Sequence, residues 1–227
     1  MLDARLKLKD YSASPVDAEL RSAFGGLLLT DWKQSLVARG YGWHVDVGAF
    51  STPITGGGAG TVLDQDQPEI GIGIPSGWCM IPLRAHIACQ VPISAADSDE
   101  VEAMLAYDRA AEAAGLNATN GTMETPTNMR SNVNGGCPLL VCSALTMNIT
   151  NPTLGVELGH AVKVVDYVGT PANALETDLF LLYEPLHPHF IIGPAGFYAY
   201  WGGTVATTGF LNLDFLAIPS ALVTGLS

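Results

Sequence analysis

The chain has 227 residues and a mass of 23.8 kDa, which is enough to bury one substantial core. Its apolar content of 48% and mean hydropathy of +0.27 exclude a disordered chain, and no run approaches the roughly 18 apolar residues of a membrane-spanning helix. Residues 41–227 carry four basic and 17 acidic side chains, net −13, whereas residues 1–40 carry six and five, net +1. So acidic a body repels phosphate backbones, and we expect neither a nucleic-acid nor a membrane partner.

The N-terminal segment, residues 1–40, is predicted to be an arm with one short helix, ahead of a single domain over residues 41–227. Ser14 and Pro15 suit the cap and first position of that helix, and the paired glycines at 25–26 are predicted to end it. The first ten residues have no apolar stretch behind their charges. We therefore expect no signal peptide, synthesis in the cytoplasm and four reduced cysteines.

From residue 41 the dominant pattern is the alternation of apolar and polar residues that is typical of β-strands. The composition of residues 97–114 suits a helix or a strand, and the alternation of Val101, Ala103 and Leu105 favours a strand through Tyr107. The other predicted strands are 43–49, 70–74, 79–91, 141–149, 156–164, 178–184, 196–201 and 210–218. About eight strands without βαβ spacing predict an all-β fold, an antiparallel β-sandwich, and a jelly roll suits the length best.

The clearest strand is 79–91, in which seven apolar residues from Cys79 to Val91 share one parity. They are predicted to form a single core face. Pro82 has the opposite parity and lacks an N–H for the ladder, so it predicts an edge strand or a bulge.

Two predicted strands, 178–184 and 196–201, are apolar on both faces. Such a strand needs a second covering surface, which is either another layer of the same chain or another subunit. A turn rich in glycine and threonine joins 196–201 to 210–218, and this pattern predicts a hairpin.

Motifs that carry chemistry are scarce. His187 and His189 resemble the paired histidines of metal-binding cupins, but no Glu follows on the same strand, and Pro188 between them favours a loop. A cupin-like metalloenzyme stays as an alternative that requires metal at both histidines. Because no nucleophile–base pattern is found either, we expect no enzyme, no catalytic residue, no cofactor and no metal site.

Several segments resemble proteins of tailed bacteriophages of the cyanophage kind. These segments are FGGLLLTDWKQ (24–34), STPITGGGAGTVLDQDQPE (51–69), IPSGW (74–78), NMRSN (128–132), LLYEP (181–185) and YWGGTVATTGF (200–210). The resemblance implies a jelly roll of the tumour-necrosis-factor-like shape that associates as a homotrimer. It also implies a cement or decoration protein on the outer surface of the virion capsid, whose partner is the major capsid protein of the same virus.

The two double-faced strands suggest where such a trimer would form. The predicted trimer interface consists of Phe180, Leu182, Tyr198, Tyr200 and Trp201. An alternative function is a glycan-binding jelly roll of a head fibre or tail, for which Trp43, Trp78 and Trp201 are the candidate sugar contacts.

Overall fold

A computed structural model describes residues 32–49, 51–56, 58–59, 63, 67–91, 98–109, 116–132, 135–145, 156–166, 177–203 and 207–224. The helix predicted from Ser14 lies outside these residues. The described elements, in chain order, are α1 (Trp32–Ala38), β1 (Gly42–Val47), β2 (Ile54–Thr55), β3 (Gly58–Ala59), β4 (Ile70–Ile74), β5 (Trp78–Val91), β6 (Ser98–Asp108), β7 (Thr122–Glu124), β8 (Thr127–Asn128), β9 (Leu140–Ser143), β10 (Val156–Asp166), β11 (Thr177–Tyr183), β12 (Ile191–Ile192), β13 (Ala195–Gly203), β14 (Thr208–Pro219) and α2 (Ala221–Thr224).

These strands form two sheets that pack face to face. The strand order is β11-β5-β14-β1-β8 in the first sheet and β10-β6-β13-β4-β9-β7 in the second. The long strands pair antiparallel in a nested way: β1 with β14, β4 with β13, β5 with β11 and β6 with β10. Such nesting is that of a long ribbon wound into a jelly roll, so the predicted all-β, antiparallel jelly-roll sandwich is confirmed.

The core lies between the sheets and is built from alternate residues of each strand. Trp43 and Val45 enter it from the first sheet, and Phe197 enters it from the second. The segment whose composition suited either a helix or a strand is strand β6, and its Val101 and Leu105 are fully buried in the same core. Burial of one parity of this strand stabilises the extended conformation over the helix.

The prediction that Cys79 to Val91 form one core face is wrong, because β5 contains a bulge. Its register against β14 shifts between Arg84 and Pro82, so of the two alternatives predicted from Pro82, an edge strand or a bulge, the structure has the bulge. One extra residue reverses the parity of everything beyond it. Ile87 therefore faces the core, while Ile81 lies on the outer face of the sheet.

The helix α1 covers the part of the outer face that the bulge makes apolar. It ends in a Schellman motif, in which Gly40 N–H donates to the Val37 carbonyl (2.9 Å) and Tyr41 N–H to the Leu36 carbonyl (3.1 Å). Gly40 has φ 88°, which favours glycine over residues with a Cβ. Leu36 and Val37 then pack against Ile81 and its neighbours. The sequence analysis assigned no helix here.

The predicted hairpin between β13 and β14 is also wrong, because the two strands belong to different sheets. In a jelly roll the chain passes from one sheet to the other between these strands, so a turn signal marks the crossing and not a ladder pairing. No helix in the described part of the chain is long and apolar enough to cross a membrane.

Candidate functional site

The five residues of the predicted interface do not share one environment. Tyr198 and Tyr200 point away from the core of the sandwich, yet they are only 1% and 0% exposed. They pack with Leu63, Met104 and Ala106 of the same chain. Trp201 faces the core itself. The second layer over β13 therefore comes from this chain, which corrects the expectation that these three rings line a trimer axis.

Phe180 and Leu182 are the part of the predicted interface that lies on the surface. Their neighbours Leu179 and Leu181 on β11 are buried in the core, so alternation turns Phe180 and Leu182 outward. They are 58% and 55% exposed. Of the five residues predicted for the trimer interface, these two are the ones accessible to another subunit.

Both residues belong to a larger surface that we call the open face, namely the outward side of β11, β5, β14 and β1 beyond the area that α1 covers. Its outward side chains stand in cross-strand rows set by the register. One row runs from β11 to β1 and contains Leu182, His86, Asn212 and Asp46; the next contains Arg84, Asp214 and His44.

On β1 and β14 lies a group of polar side chains that we call the polar centre of the open face, in which one histidine bridges two carboxylates. His44 Nδ1 lies 2.6 Å from Asp214 Oδ1, and His44 Nε2 lies 3.0 Å from Asp46 Oδ2. Asn212 Nδ2 donates a further hydrogen bond to Asp46 Oδ1. Only a protonated imidazole donates from both nitrogens, so this arrangement favours the charged form of His44.

The electrostatics of this bridge follow from its contacts. Partial burial lowers the pKa of His44, but the hydrogen bonds to Asp214 and Asp46 and their negative charges outweigh it, so the pKa lies above the ordinary 6.5. Partial burial likewise raises the pKa of Asp46, but hydrogen bonds from His44 and Asn212 and the charge of His44 bring it below 3.8.

Next to the bridge, the basic side chains of β5 have no such partners. Arg84 stands opposite Asp214 in the ladder, but Asp214 is occupied by His44, and within the described part of the chain no carboxylate forms an ion pair with Arg84. His86 stacks on Phe180, with ring centroids 5.8 Å apart and planes 7° apart. A shallow cavity of about 190 Å³ is lined by Arg84 and His86 together with His44, Asn212 and Asp214.

The other candidate residues lie elsewhere. His187 and His189 are exposed in the connection between β11 and β12, which confirms the predicted loop. Among the described residues no three His, Cys, Asp or Glu side chains are placed to hold a metal ion. Trp43 and Trp201 are buried, which removes them as sugar contacts, whereas Trp78 is half-buried.

The four cysteines are free, as predicted. Burial raises the pKa of the Cys79 thiol to about 11 and, with a smaller contribution from Glu69, that of Cys89 to about 12. Thiols that remain protonated at neutral pH are poor nucleophiles, so these two are packing residues.

The sequence analysis missed the polar centre of the open face. The signal was present, because His44 and Asp46 alternate with apolar residues, as do Asn212 and Asp214. The sequence does not show that β1 pairs with β14, because His44 and Asp214 are 170 residues apart along the chain.

Comparisons with known proteins add no relative: no family model, no curated protein and no solved structure matches the chain.

Proposed function

We propose that this protein is a structural virion protein, a trimeric cement protein that stabilises a bacteriophage capsid by clamping neighbouring shell subunits. The observation that carries the proposal is the open face, on which exposed Phe180 and Leu182 adjoin a compact polar centre. Exposed apolar residues grouped on a sheet favour a protein partner. The jelly roll is a fold that viral capsid proteins use, and the phage-like segments of the sequence support the same function.

The charge distribution suits this role. Residues 41–227 carry net −13, which favours a soluble trimer body, and residues 1–40, at net +1, lack the negative charge that would repel an acidic shell. In this proposal the open faces meet at the subunit contacts, the arm binds the major capsid protein, and the protein carries out no catalysis.

Mass measurement by light-scattering chromatography tests the trimer. The wild type is expected at three times 23.8 kDa. Phe180→Asp and Leu182→Asp place a charge in the proposed contact and are expected to give monomers. Val164→Asp is the matched control, because Val164 is 61% exposed but lies on β10 of the other sheet. A monomeric wild type contradicts the proposal.

Co-sedimentation with empty capsids of the same virus tests the clamp. Replacing Arg5, Lys7 and Lys9 with Glu reverses the charge of the arm in the full chain. We expect capsid binding to be lost while the trimer mass is unchanged. Capsid binding that survives this reversal argues against electrostatic contact through the arm.

A glycan-binding module is the second candidate, and the cavity on the open face favours it. Asp214, Asn212 and Arg84 offer acceptors and donors for sugar hydroxyls, and Phe180 offers an exposed ring for the apolar face of a sugar. A monomer that is retained on a glycan array, and that loses retention on Arg84→Ala, supports this candidate over the trimer.

A further inference from the structure

In the two rows that contain Arg84 and His86, these two basic side chains lie on one half of the open face, and the exposed carboxylate of Asp46 lies on the other. Arg84 and His86 stand on β5, beside the apolar edge formed by β11, and Asp46 stands on β1. β14 separates these strands, so at about 4.8 Å per strand the two halves are roughly 10 Å apart. A neighbouring molecule therefore meets a basic, apolar half and an acidic half.

The two halves do not neutralise one another within one chain. Asp214 lies between them and is held 2.6 Å from His44. The side chain of Asp46 is 59% exposed and leans toward His44 and Asn212. Arg84, one of four basic side chains in residues 41–227, is exposed and has no ion-pair partner among the described residues.

An exposed guanidinium beside exposed apolar side chains is suited to receive a carboxylate from a docking partner. Arg binds carboxylates with two parallel hydrogen bonds, which fixes orientation as well as charge. Residues 41–227 carry a net charge of −13 and repel a second copy of the chain, and an exposed basic side chain beside apolar residues reduces that repulsion on the open face. Both halves of a complementary pair are present on it.

We propose that Arg84 pairs with Asp46 of a second copy of this chain, so that each subunit contact joins the β5–β11 half of one open face to the β1 half of the next. This inference rests on the proposed trimer and names its pairing. In the head-to-tail arrangement proposed here this contact is heterologous, and repeated around a threefold axis it closes a ring. Asp46 is the partner because its side chain is 59% exposed, against 28% for that of Asp214.

A charge swap tests the pairing. Arg84→Glu and Asp46→Arg each place like charges in contact, and each is expected to weaken association at every interface about 30-fold or more. The double variant restores opposite charges with the sides exchanged, so the trimer is expected to return. Arg109→Glu makes the same charge change at the end of β6 in the second sheet and should leave the trimer intact.

Sedimentation equilibrium distinguishes this inference from the proposed function, with circular dichroism checking that each variant folds. Dissociation by both single variants and reassembly of the double variant support the pairing. A wild-type trimer whose dissociation constant is unchanged by Arg84→Glu overturns the pairing and leaves the trimer standing. Single variants that dissociate without rescue in the double variant also overturn it. A monomeric wild type overturns both.

Discussion

Strands β11 and β13 look alike in sequence, and the structure treats them oppositely. Each is apolar on both faces, and each buries one face in the core. The outer face of β13 is covered by residues of the same chain, so Tyr198 and Tyr200 are inaccessible, whereas the outer face of β11 leaves Phe180 and Leu182 exposed. Apolar residues on both faces of a strand therefore indicate a second covering layer without saying which molecule supplies it.

The difference comes from what lies over each sheet. On the second sheet, Leu116 and Leu145 come so close to the outer side of β4 that a Cβ added at Gly71 would lie 2.6 Å and 3.1 Å from their side chains. On the first sheet, α1 covers the end of the face beyond the bulge, and on the rest of it the described residues include exposed Phe180 and Leu182. The open face thus leaves apolar side chains of β11 accessible to a partner, whereas the outer side of β4 and β13 is covered.

The largest contrast is expected between Tyr200→Ala and Phe180→Ala. Tyr200 is fully buried, so its truncation leaves a cavity and should lower the free energy of unfolding by about 3–5 kcal/mol. Phe180→Ala should change subunit stability by less than about 0.5 kcal/mol, because the ring is exposed. Urea unfolding over a series of protein concentrations separates subunit stability from association. Equal losses in the two variants would contradict the comparison.

A smaller contrast is expected between two glycine substitutions. Gly71→Ala forces a methyl group against Leu116 and Leu145 and should lower the free energy of unfolding by about 1–3 kcal/mol. Gly135→Ala is the matched control, because nothing lies within 4 Å of its added Cβ. Thermal unfolding of both variants measures the difference. If Gly71→Ala is as stable as the control, the covering layer over β4 is looser than these contacts imply.

How far the sequence predicts this molecule depends on the range of the interaction. Alternation is local, so the positions of the strands and the sandwich could be predicted from neighbouring residues. Pro82 predicted either an edge strand or a bulge, and the choice between them, which sets the parity of Ile81, depends on the pairing of β5 with β14. The hairpin assignment failed for the same reason, since a turn does not reveal the sheet to which the next strand belongs.

The candidate site depends even more strongly on long-range pairing than the bulge and the hairpin do. His44, Arg84 and Asp214 come from three strands that are adjacent only because the ribbon is wound into a jelly roll. The sequence shows these polar residues, but their proximity follows from the pairing of β1 with β14. Phe180 and Leu182 were identified because β11 is apolar on both faces. The three rings of β13 were grouped with them, because the sequence does not distinguish an outer face that is exposed from one that the same chain covers.

The smallest expected effect is the pH dependence of the polar centre. Because the folded-state pKa of His44 lies above 6.5, its stabilisation is complete below that value and is lost as pH rises through the folded-state pKa. The folded-state pKa of Asp46 lies below 3.8. The contribution of Asp46 to stability is therefore complete above pH 3.8 and is lost as the pH falls through that folded-state pKa. The bridge is therefore strongest between these values. The His44 and Asp46 side chains are 38% and 59% exposed, which limits the gain to below about 1 kcal/mol.

Urea unfolding at about pH 5.5 and about pH 8.5 measures the difference in stability between the two pH values, and His44→Gln should lose this difference. His187→Gln, at an exposed loop histidine, should retain it, and a His44→Gln protein that keeps the full difference would assign the pH dependence to other groups.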